Sequence, residues 1–266
     1  PYILISVLIG LFFLPFWLDG KIYVASDILR FVYPWKAFHD QAGGNQPAVH
    51  NLELLDTALL FYPDDCFLNR SLKSGEVPWW NPYKFCGFSW VGSGQSAVLY
   101  WPKLLAHYML EAGQARTVML WAHLTLMGNG MVFWLRSRKF SPLASLFGSI
   151  VWTFNALSMS ILEYELVTIV MAYMAPCLYA IDQITRERQR LFLFPLALLG
   201  GIFISGSHLQ FAALQCAALV AYGLHSIQQS RNAAAFWQLS MAAVLAGWRM
   251  RWPRWTRCAA PASKWS

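Results

Sequence analysis

Two acidic segments of the chain share a pattern that could support catalysis. Asp27 and Asp56 are each followed, after five residues, by a Tyr-Pro pair that contains Tyr33 in the first segment and Tyr62 in the second. A carboxylate can act as a general base on a hydroxyl group or help to hold a divalent metal. Asp is also a common N-cap residue, and Pro would then end or kink the short helix that follows. We therefore interpret Asp27 and Asp56 as candidate catalytic residues, with helix capping as the alternative.

An adjacent acidic pair, Asp64-Asp65, follows the second segment. Two neighbouring carboxylates can bind Mg²⁺ or Mn²⁺ together with a diphosphate group. Acidic residues are also typical of the first turn of a helix, and one is predicted here over 65–74. The pair thus indicates a divalent metal as the one candidate cofactor, with helix capping again as the alternative.

A proline-rich aromatic segment lies between Gly75 and Gly87 and contains Trp79-Trp80-Asn81 and Tyr83. Its prolines exclude a regular helix or a central strand, so we predict a rigid turn with aromatic walls. Aromatic faces suit sugar rings or isoprenoid chains. Trp and Tyr also accumulate at membrane interfaces, where such a turn would serve as an anchor.

Further polar residues lie close to apolar segments. Glu163 and Glu165 flank a tyrosine between two such segments, and His208 and Gln210 lie in a later turn. Ionisable groups at this depth are candidate functional residues, and contact of these turns with water is the alternative interpretation. The glutamates could hold a metal or orient an acceptor, and a protonated His208 could bind a lipid phosphate.

The elements that must position these residues are membrane helices. The chain is 57% hydrophobic and 12% charged, whereas soluble domains are about 25% charged. This composition argues against a soluble globule, a disordered chain and a nucleic-acid-binding protein. The net charge of +7 arises largely in the last 19 residues, so the chain has no general basic surface.

A helix needs roughly 20 apolar residues to cross the hydrocarbon core. We predict a first transmembrane helix over 1–18, a polar extracytoplasmic loop over 19–96 and an interfacial helix over 97–112. About five further transmembrane helices, with the start of another, are predicted over 113–247. Their ranges are 115–135, 142–162, 166–184, 191–204 and 209–227, followed by 233–247.

Short loops rich in Lys and Arg predict the orientation. Segments 136–141, 185–190 and 228–232 are basic and therefore expected in the cytoplasm, which places the 19–96 loop outside. A disulfide between Cys66 and Cys86 is permitted in that compartment. Residues 248–266 combine Arg, Trp and Pro where a helix should continue, and we expect them to be a non-native tail or, alternatively, a basic cytoplasmic tail.

The same residues resemble a known family. Asp27, Asp56 and the Gly-Glu-Val-Pro-Trp-Trp-Asn-Pro-Tyr-Lys-Phe-Cys-Gly segment, with the later Gln95, resemble the first extracytoplasmic loop of bacterial YfhO-type membrane proteins. The turn that contains His208 resembles a Gly-His-x-Gln element of such chains. The resemblance covers roughly residues 1–245, and full-length members are much longer. The Phe88-Ser89-Trp90 segment departs from the family pattern.

This family is similar to GT-C glycosyltransferases. The resemblance implies an all-α polytopic membrane protein, a GT-C-like transmembrane helix bundle with a large structured first extracytoplasmic loop, in the bacterial inner membrane. It implies a polyprenyl-phosphate sugar donor and a glycopolymer or lipid acceptor of the cell envelope. Asp27 becomes the leading candidate for the general base and Asp56 the second. The expected substrate-binding residues are Arg30, Tyr33, Tyr62, Trp79, Trp80, Asn81, Tyr83, Gln95 and His208.

Three alternatives remain open. A transporter or flippase component would place ionisable residues at mid-bilayer and contain broken helices in repeated halves. A non-catalytic membrane scaffold would need no Asp in the loop. An inactive truncated fragment would keep the family fold without the function.

Overall fold

The computed structural model describes residues 1–41, 51–230, 232 and 234–248, and these residues are predominantly helical. The prediction that the protein is all-α is confirmed for its secondary structure. The predicted tail over 248–266 lies, beyond Trp248, outside the described residues. In chain order the helices are α1 Tyr2–Phe12, α2 Leu14–Asp19, α3 Trp35–Gln41, α4 Tyr62–Lys73, α5 Trp101–Met109, α6 Ala112–Ser137, α7 Pro142–Thr153, α8 Ala156–Ser160, α9 Glu165–Thr185, α10 Leu193–Gly206, α11 Leu209–Ser230 and α12 Ala234–Trp248.

Three of the described helices, α6, α9 and α11, are long and apolar enough to cross a membrane. The outer surface of the bundle is also apolar, since Leu143, Phe147 and Leu214 are each more than 60% exposed. Large apolar side chains on the outside are stable in hydrocarbon, where contact with lipid replaces contact with water. These features indicate a membrane protein.

Helix α9 forms the centre of the bundle. Ile169 and Cys177 on this helix are fully buried, and α9 packs against α6, α10 and α11. Helices α6 and α9 approach closely because α6 has no side chain at Gly130, where a Cβ atom would lie 3.3 Å from Pro176 Cδ. Small residues allow this kind of close contact between membrane helices.

Two predicted spans are interrupted in the structure. The first, over 1–18, breaks at Phe13 between α1 and α2, and Pro15 lies in the first turn of α2. Pro has no N–H and fits the first turn of a new helix better than the interior of a continuous one. The second, over 142–162, is divided into α7 and α8 because Asn155 caps α8, its side chain accepting a hydrogen bond from the Ser158 N–H at 2.9 Å.

The segment over 19–96 folds onto one end of the bundle. Its helix α4 contacts α5 and α6, and Leu68, Trp90 and Val98 form a small core. The segment also contains a hairpin of two short antiparallel strands, β1 Trp80–Asn81 and β2 Phe88–Ser89. The disulfide that the compartment would permit is not formed, since Cys66 and Cys86 are both free thiols.

The two ends of the bundle differ in charge. The first turns of α6 and α9 lie together, because Arg116 of α6 donates a hydrogen bond to the carbonyl of Glu163 just before α9. At the opposite end, Arg138 and Arg186 both pair with Asp182. We call the end that contains Glu163 the acidic end and the end that contains Arg138 and Arg186 the basic end.

Candidate functional site

The turn before α9 contains Glu163, which is only partly exposed. Its Oε2 accepts a hydrogen bond from Thr57 Oγ1 at 3.5 Å, and the backbone N–H of Ala25 also donates to this side chain. Burial raises the pKa of Glu163 above its ordinary value, Arg116 opposes this shift, and the nearby carboxylate of Asp27 adds to it. A partly buried carboxylate with a raised pKa beside a second carboxylate is a common arrangement in acid–base sites.

Both Asp-x5-Tyr-Pro segments meet at this turn. Ala25, Ile28 and Leu54 form a small apolar cluster against Tyr164, whose hydroxyl donates to the Glu53 carbonyl at 2.6 Å. Burial is the main cause of the raised pKa of Glu163 and of Tyr164, and the charge of Asp27 adds to the first shift and that of Asp56 to the second. Two segments 29 residues apart in the sequence therefore converge on the acidic end of the bundle.

Side-chain capping does not account for Asp56. Asp27 lies within a 3₁₀ turn, Ser26–Phe31, that begins after Ala25. Asp56 precedes a wide π turn, Thr57–Phe61, and its side chain makes no capping hydrogen bond. Asp27 is partly exposed and Asp56 exposed, so both carboxylates are accessible from outside the protein. The geometry leaves their catalytic assignment as a prediction.

The acidic pair Asp64-Asp65 lies in the first turn of α4 and interacts with cations on other elements. Asp64 pairs with Lys84 at 2.7 Å, and Asp65 pairs with Lys103 and Arg116, both at 2.7 Å. No group of three or more His, Cys, Asp or Glu side chains suited to a metal occurs among the described residues. A divalent ion at this pair would have to displace both lysines, so the residues present do not fit the metal well.

Asp65 belongs to a larger buried group. Lys103 also pairs with Glu165 at 2.9 Å, and the four side chains of Asp65, Lys103, Arg116 and Glu165 are each less than 8% exposed. We call these four residues the charged network. Two acids and two bases give it no net charge, which is how buried ions are usually tolerated.

The charges of the network set the protonation of its members. Burial alone would raise the pKa of Asp65, but Lys103 and Arg116 outweigh this effect and hold the pKa below its usual range. Burial alone would lower the pKa of Lys103, but Asp65 and Glu165 hold it above its ordinary value. For the neighbouring His107, burial dominates and lowers the pKa to about 4. His107 is therefore neutral at pH 7 while the two paired residues are ionised.

A second polar chain extends from this region into the bundle. The Tyr100 hydroxyl lies 2.7 Å from His123 Nε2 and 3.0 Å from the Tyr173 hydroxyl. The end of α10 packs on the same tyrosine, since a Cβ atom at Gly206 would lie 2.8 Å from the Tyr100 ring. The predicted binding residue His208 follows in the turn between α10 and α11, where its Nδ1 accepts a hydrogen bond from the Gln210 N–H at 3.3 Å.

The predicted aromatic residues differ in accessibility. Trp79, Trp80 and Tyr83 are each more than half exposed, as a sugar-stacking surface requires. Asn81 is 2% exposed, and its Oδ1 accepts the backbone N–H of Tyr83. It therefore shapes the hairpin from within, and direct contact of Asn81 with a substrate is not supported. The hairpin turn also needs Gly87, which has a φ of +100° and lies under the Trp80 ring.

The other predicted binding residues differ in how far they are exposed. Tyr33 is 70% exposed and Gln95 is exposed, whereas Tyr62 is partly buried beside Cys66. Arg30 is held close to the candidate base, because its Nε donates to the Asp27 carbonyl at 2.8 Å.

Sequence reasoning missed the charged network as a unit. Lys103 and His107 were visible as polar residues four apart in an apolar segment, which places them on one helix face. Arg116 was visible as a lone charge at the start of a predicted span. Nothing in the sequence showed that both cations meet Asp65, because that contact depends on how the outer segment folds onto the bundle.

Comparisons with known proteins leave the function to be argued from these residues. No family model, no curated protein and no solved structure matches the chain.

Proposed function

We propose that this protein transfers a sugar from a polyprenyl-phosphate donor to an acceptor of the cell envelope. The observation that carries the proposal is the convergence of both Asp-x5-Tyr-Pro segments on the Glu163-Tyr164 turn at the acidic end. The resemblance of the loop residues to YfhO-type proteins supports the same reaction class. A lipid-borne donor would reach a carboxylate that lies close to the first helix of a membrane bundle.

In the proposed reaction, Asp27 accepts the proton of an acceptor hydroxyl as its oxygen attacks the anomeric carbon. The bond between that carbon and the lipid phosphate breaks, and the phosphate leaves with the electron pair. General-base assistance typically contributes about 10²–10⁴-fold to the rate. Glu163 acts as a positioning residue, since its side chain accepts hydrogen bonds from the Thr57 hydroxyl and the Ala25 backbone N–H at the turn where the two segments meet.

Neighbouring groups supply binding and charge. Trp79, Trp80 and Tyr83 offer exposed rings for the sugar. The Arg30 side chain donates a hydrogen bond to the Asp27 carbonyl, so its positive charge lies close to the proposed base and would stabilise the departing phosphate. The proposal assigns no step to a metal at Asp64 and Asp65, because lysines occupy those carboxylates.

The proposal also includes an orientation. Basic segments at the ends of α6 and α9 lie together at the basic end, as the shared partner Asp182 of Arg138 and Arg186 shows. Short basic loops remain in the cytoplasm. The acidic end would then face outward from the bacterial inner membrane, on the side where cell-envelope acceptors are assembled.

The test compares Asp27→Asn and Asp56→Asn with Asp19→Asn, which alters an exposed carboxylate paired with Lys21. Membranes containing each variant of the full chain receive a radiolabelled polyprenyl-phosphate hexose, and label in the acceptor fraction is measured. We expect Asp27→Asn to lose at least about 10²-fold in rate, Asp56→Asn to lose less, and Asp19→Asn to retain activity. Full transfer by Asp27→Asn would refute the assignment, and absence of transfer by the unmodified chain would refute the function.

One observation favours a second candidate, a transporter or flippase component. His123 is buried within α6, about 16 Å along the helix from Ala112, and is hydrogen-bonded to Tyr100. Buried ionisable residues within membrane helices often mark a transport path. Movement of a fluorescent polyprenyl phosphate across proteoliposomes, lost in His123→Phe and retained in the exposed-site variant His225→Phe, would favour this function over sugar transfer.

A further inference from the structure

The short helix α5 has its polar side buried and its apolar side exposed. Lys103 and His107, four residues apart, are 6% and 0% exposed. Trp101, Leu105 and Tyr108 lie on the other side and are 59%, 51% and 61% exposed. In water an amphipathic helix has the opposite arrangement, with its apolar side against the core.

The charged network explains why the polar side points inward. Lys103 bridges Asp65 and Glu165, and its ammonium group cannot leave without exposing two buried carboxylates to an apolar interior. Turning α5 to hide its apolar side is therefore excluded. Large apolar side chains are unfavourable in water, so a medium or a partner must cover the exposed side.

The surroundings of α5 favour lipid as that cover. Only Leu110 and Glu111 separate α5 from α6, which is long and apolar enough to span a membrane. The nine residues of α5 would reach only about 14 Å and cannot span the bilayer. Its apolar side includes Trp101 and Tyr108, the residue types that concentrate at the membrane interface.

We propose that α5, which belongs to the segment predicted to be an interfacial helix, keeps its charged side against the charged network and places the side formed by Trp101, Leu105 and Tyr108 in contact with acyl chains. The helix then covers the charged network from the lipid side and places the network at the depth of the lipid headgroups. The inference rests on the burial pattern of α5 and stands whether or not the protein transfers a sugar.

The experiment measures the surroundings of single nitroxide labels by electron paramagnetic resonance. Cysteines at 66, 86, 177, 216 and 258 are replaced by Ala, and Cys is introduced as Leu105→Cys, Tyr108→Cys or, as the control, Glu76→Cys at an exposed loop position. The full chain is reconstituted in vesicles of phosphatidylethanolamine and phosphatidylglycerol. We expect labels at 105 and 108 to collide several-fold more with oxygen than with a water-soluble nickel chelate, and the label at 76 to show the reverse.

Two results would overturn the proposal. Greater access of the nickel chelate at 105 and 108 would place α5 in water, and protection from both reagents would mean that protein covers it. Hydroxyl-radical footprinting of the unsubstituted chain in the same vesicles provides a test that needs no variant. Tyr108 should be modified several-fold more slowly than Tyr83, which is 82% exposed, and equal rates would contradict an interfacial α5.

Discussion

The two ends of the bundle each bury an acidic side chain among cations, but they satisfy it differently. At the basic end Asp182 accepts hydrogen bonds from Trp134 at 2.9 Å, Arg138 at 3.2 Å, Arg186 at 3.0 Å and Tyr222 at 2.7 Å. These donors come from α6, α9 and α11. We call this group the basic-end clamp.

The charged network at the acidic end is less completely paired. In the network, Glu165 Oε1 and Arg116 Nε are buried without a hydrogen-bond partner, as are both ring nitrogens of the neighbouring His107. Buried unpaired polar atoms are costly, and they concentrate at sites that bind or change protonation. The hydrogen bonds to Asp182 at the basic end therefore join three helices. The acidic end keeps buried polar atoms that are not yet hydrogen-bonded, beside the proposed site.

The largest expected effect is the loss of Asp65. Asp65→Ala leaves Lys103 and Arg116 buried with one carboxylate fewer, and breaking such a pair costs about 3–5 kcal/mol in the free energy of unfolding. The measurement is a denaturation titration in mixed detergent micelles. Asp19→Ala, which breaks the exposed pair with Lys21, should change stability by about 1 kcal/mol or less. Equal effects would mean that the network is not buried as described.

The next effect is a dependence of stability on pH that arises at the acidic end. The pKa of His107 is about 4 in the folded protein, compared with the ordinary value of 6.5 for a histidine side chain. The unfolded chain therefore binds a proton first as the pH falls, and the free energy of unfolding declines between about pH 6.5 and 4, by roughly 3.5 kcal/mol at about 1.4 kcal/mol per pKa unit. Below pH 4 stability falls further as the pH decreases. The pKa of Asp65 is also depressed in the folded protein, so protonation of its carboxylate favours the unfolded chain.

The measurement is the same denaturation titration at several pH values. His107→Gln should flatten the decline between pH 6.5 and 4, whereas His225→Gln, outside the network, should keep the original slope. A decline that persists unchanged in His107→Gln would assign it to other groups.

The smallest expected effect concerns the basic-end clamp. Tyr222→Phe removes one of the four donors to Asp182 and leaves the other three, so the cost should be about 1 kcal/mol. Tyr2→Phe, on a half-exposed residue of α1, serves as the control and should be neutral. A loss as large as that of Asp65→Ala would show that the two ends do not differ in the way proposed.

The helical class and much of the site could be predicted from sequence. Long apolar segments with few charges predicted helices of membrane-spanning length, because hydrocarbon leaves few other ways to satisfy the backbone. The repeat of Asp27 and Asp56 and the acidic turn at Glu163 also identified residues that the structure brings to one end. Their role in sugar transfer stays a prediction.

Other features depended on contacts that no local pattern contains. The hydrophobicity of 142–162 predicted one helix. In the structure the side chain of Asn155 accepts a hydrogen bond from the Ser158 backbone N–H, and a second helix begins after Asn155. Asn81 looked accessible within an aromatic segment, yet its amide oxygen accepts the Tyr83 N–H and shapes the hairpin. In both cases a single polar contact outweighed the average character of the segment.

The sequence by itself determined that the chain forms apolar helices and where polar chemistry concentrates, because both follow from the types of neighbouring residues. Only the tertiary structure decided that Asp65 meets Lys103 and Arg116, and that α5 faces outward with its apolar side. The reason is that an ion pair between distant segments has no sequence period, and its burial depends on which surfaces pack together. The orientation of α5 then follows from the charges it must cover.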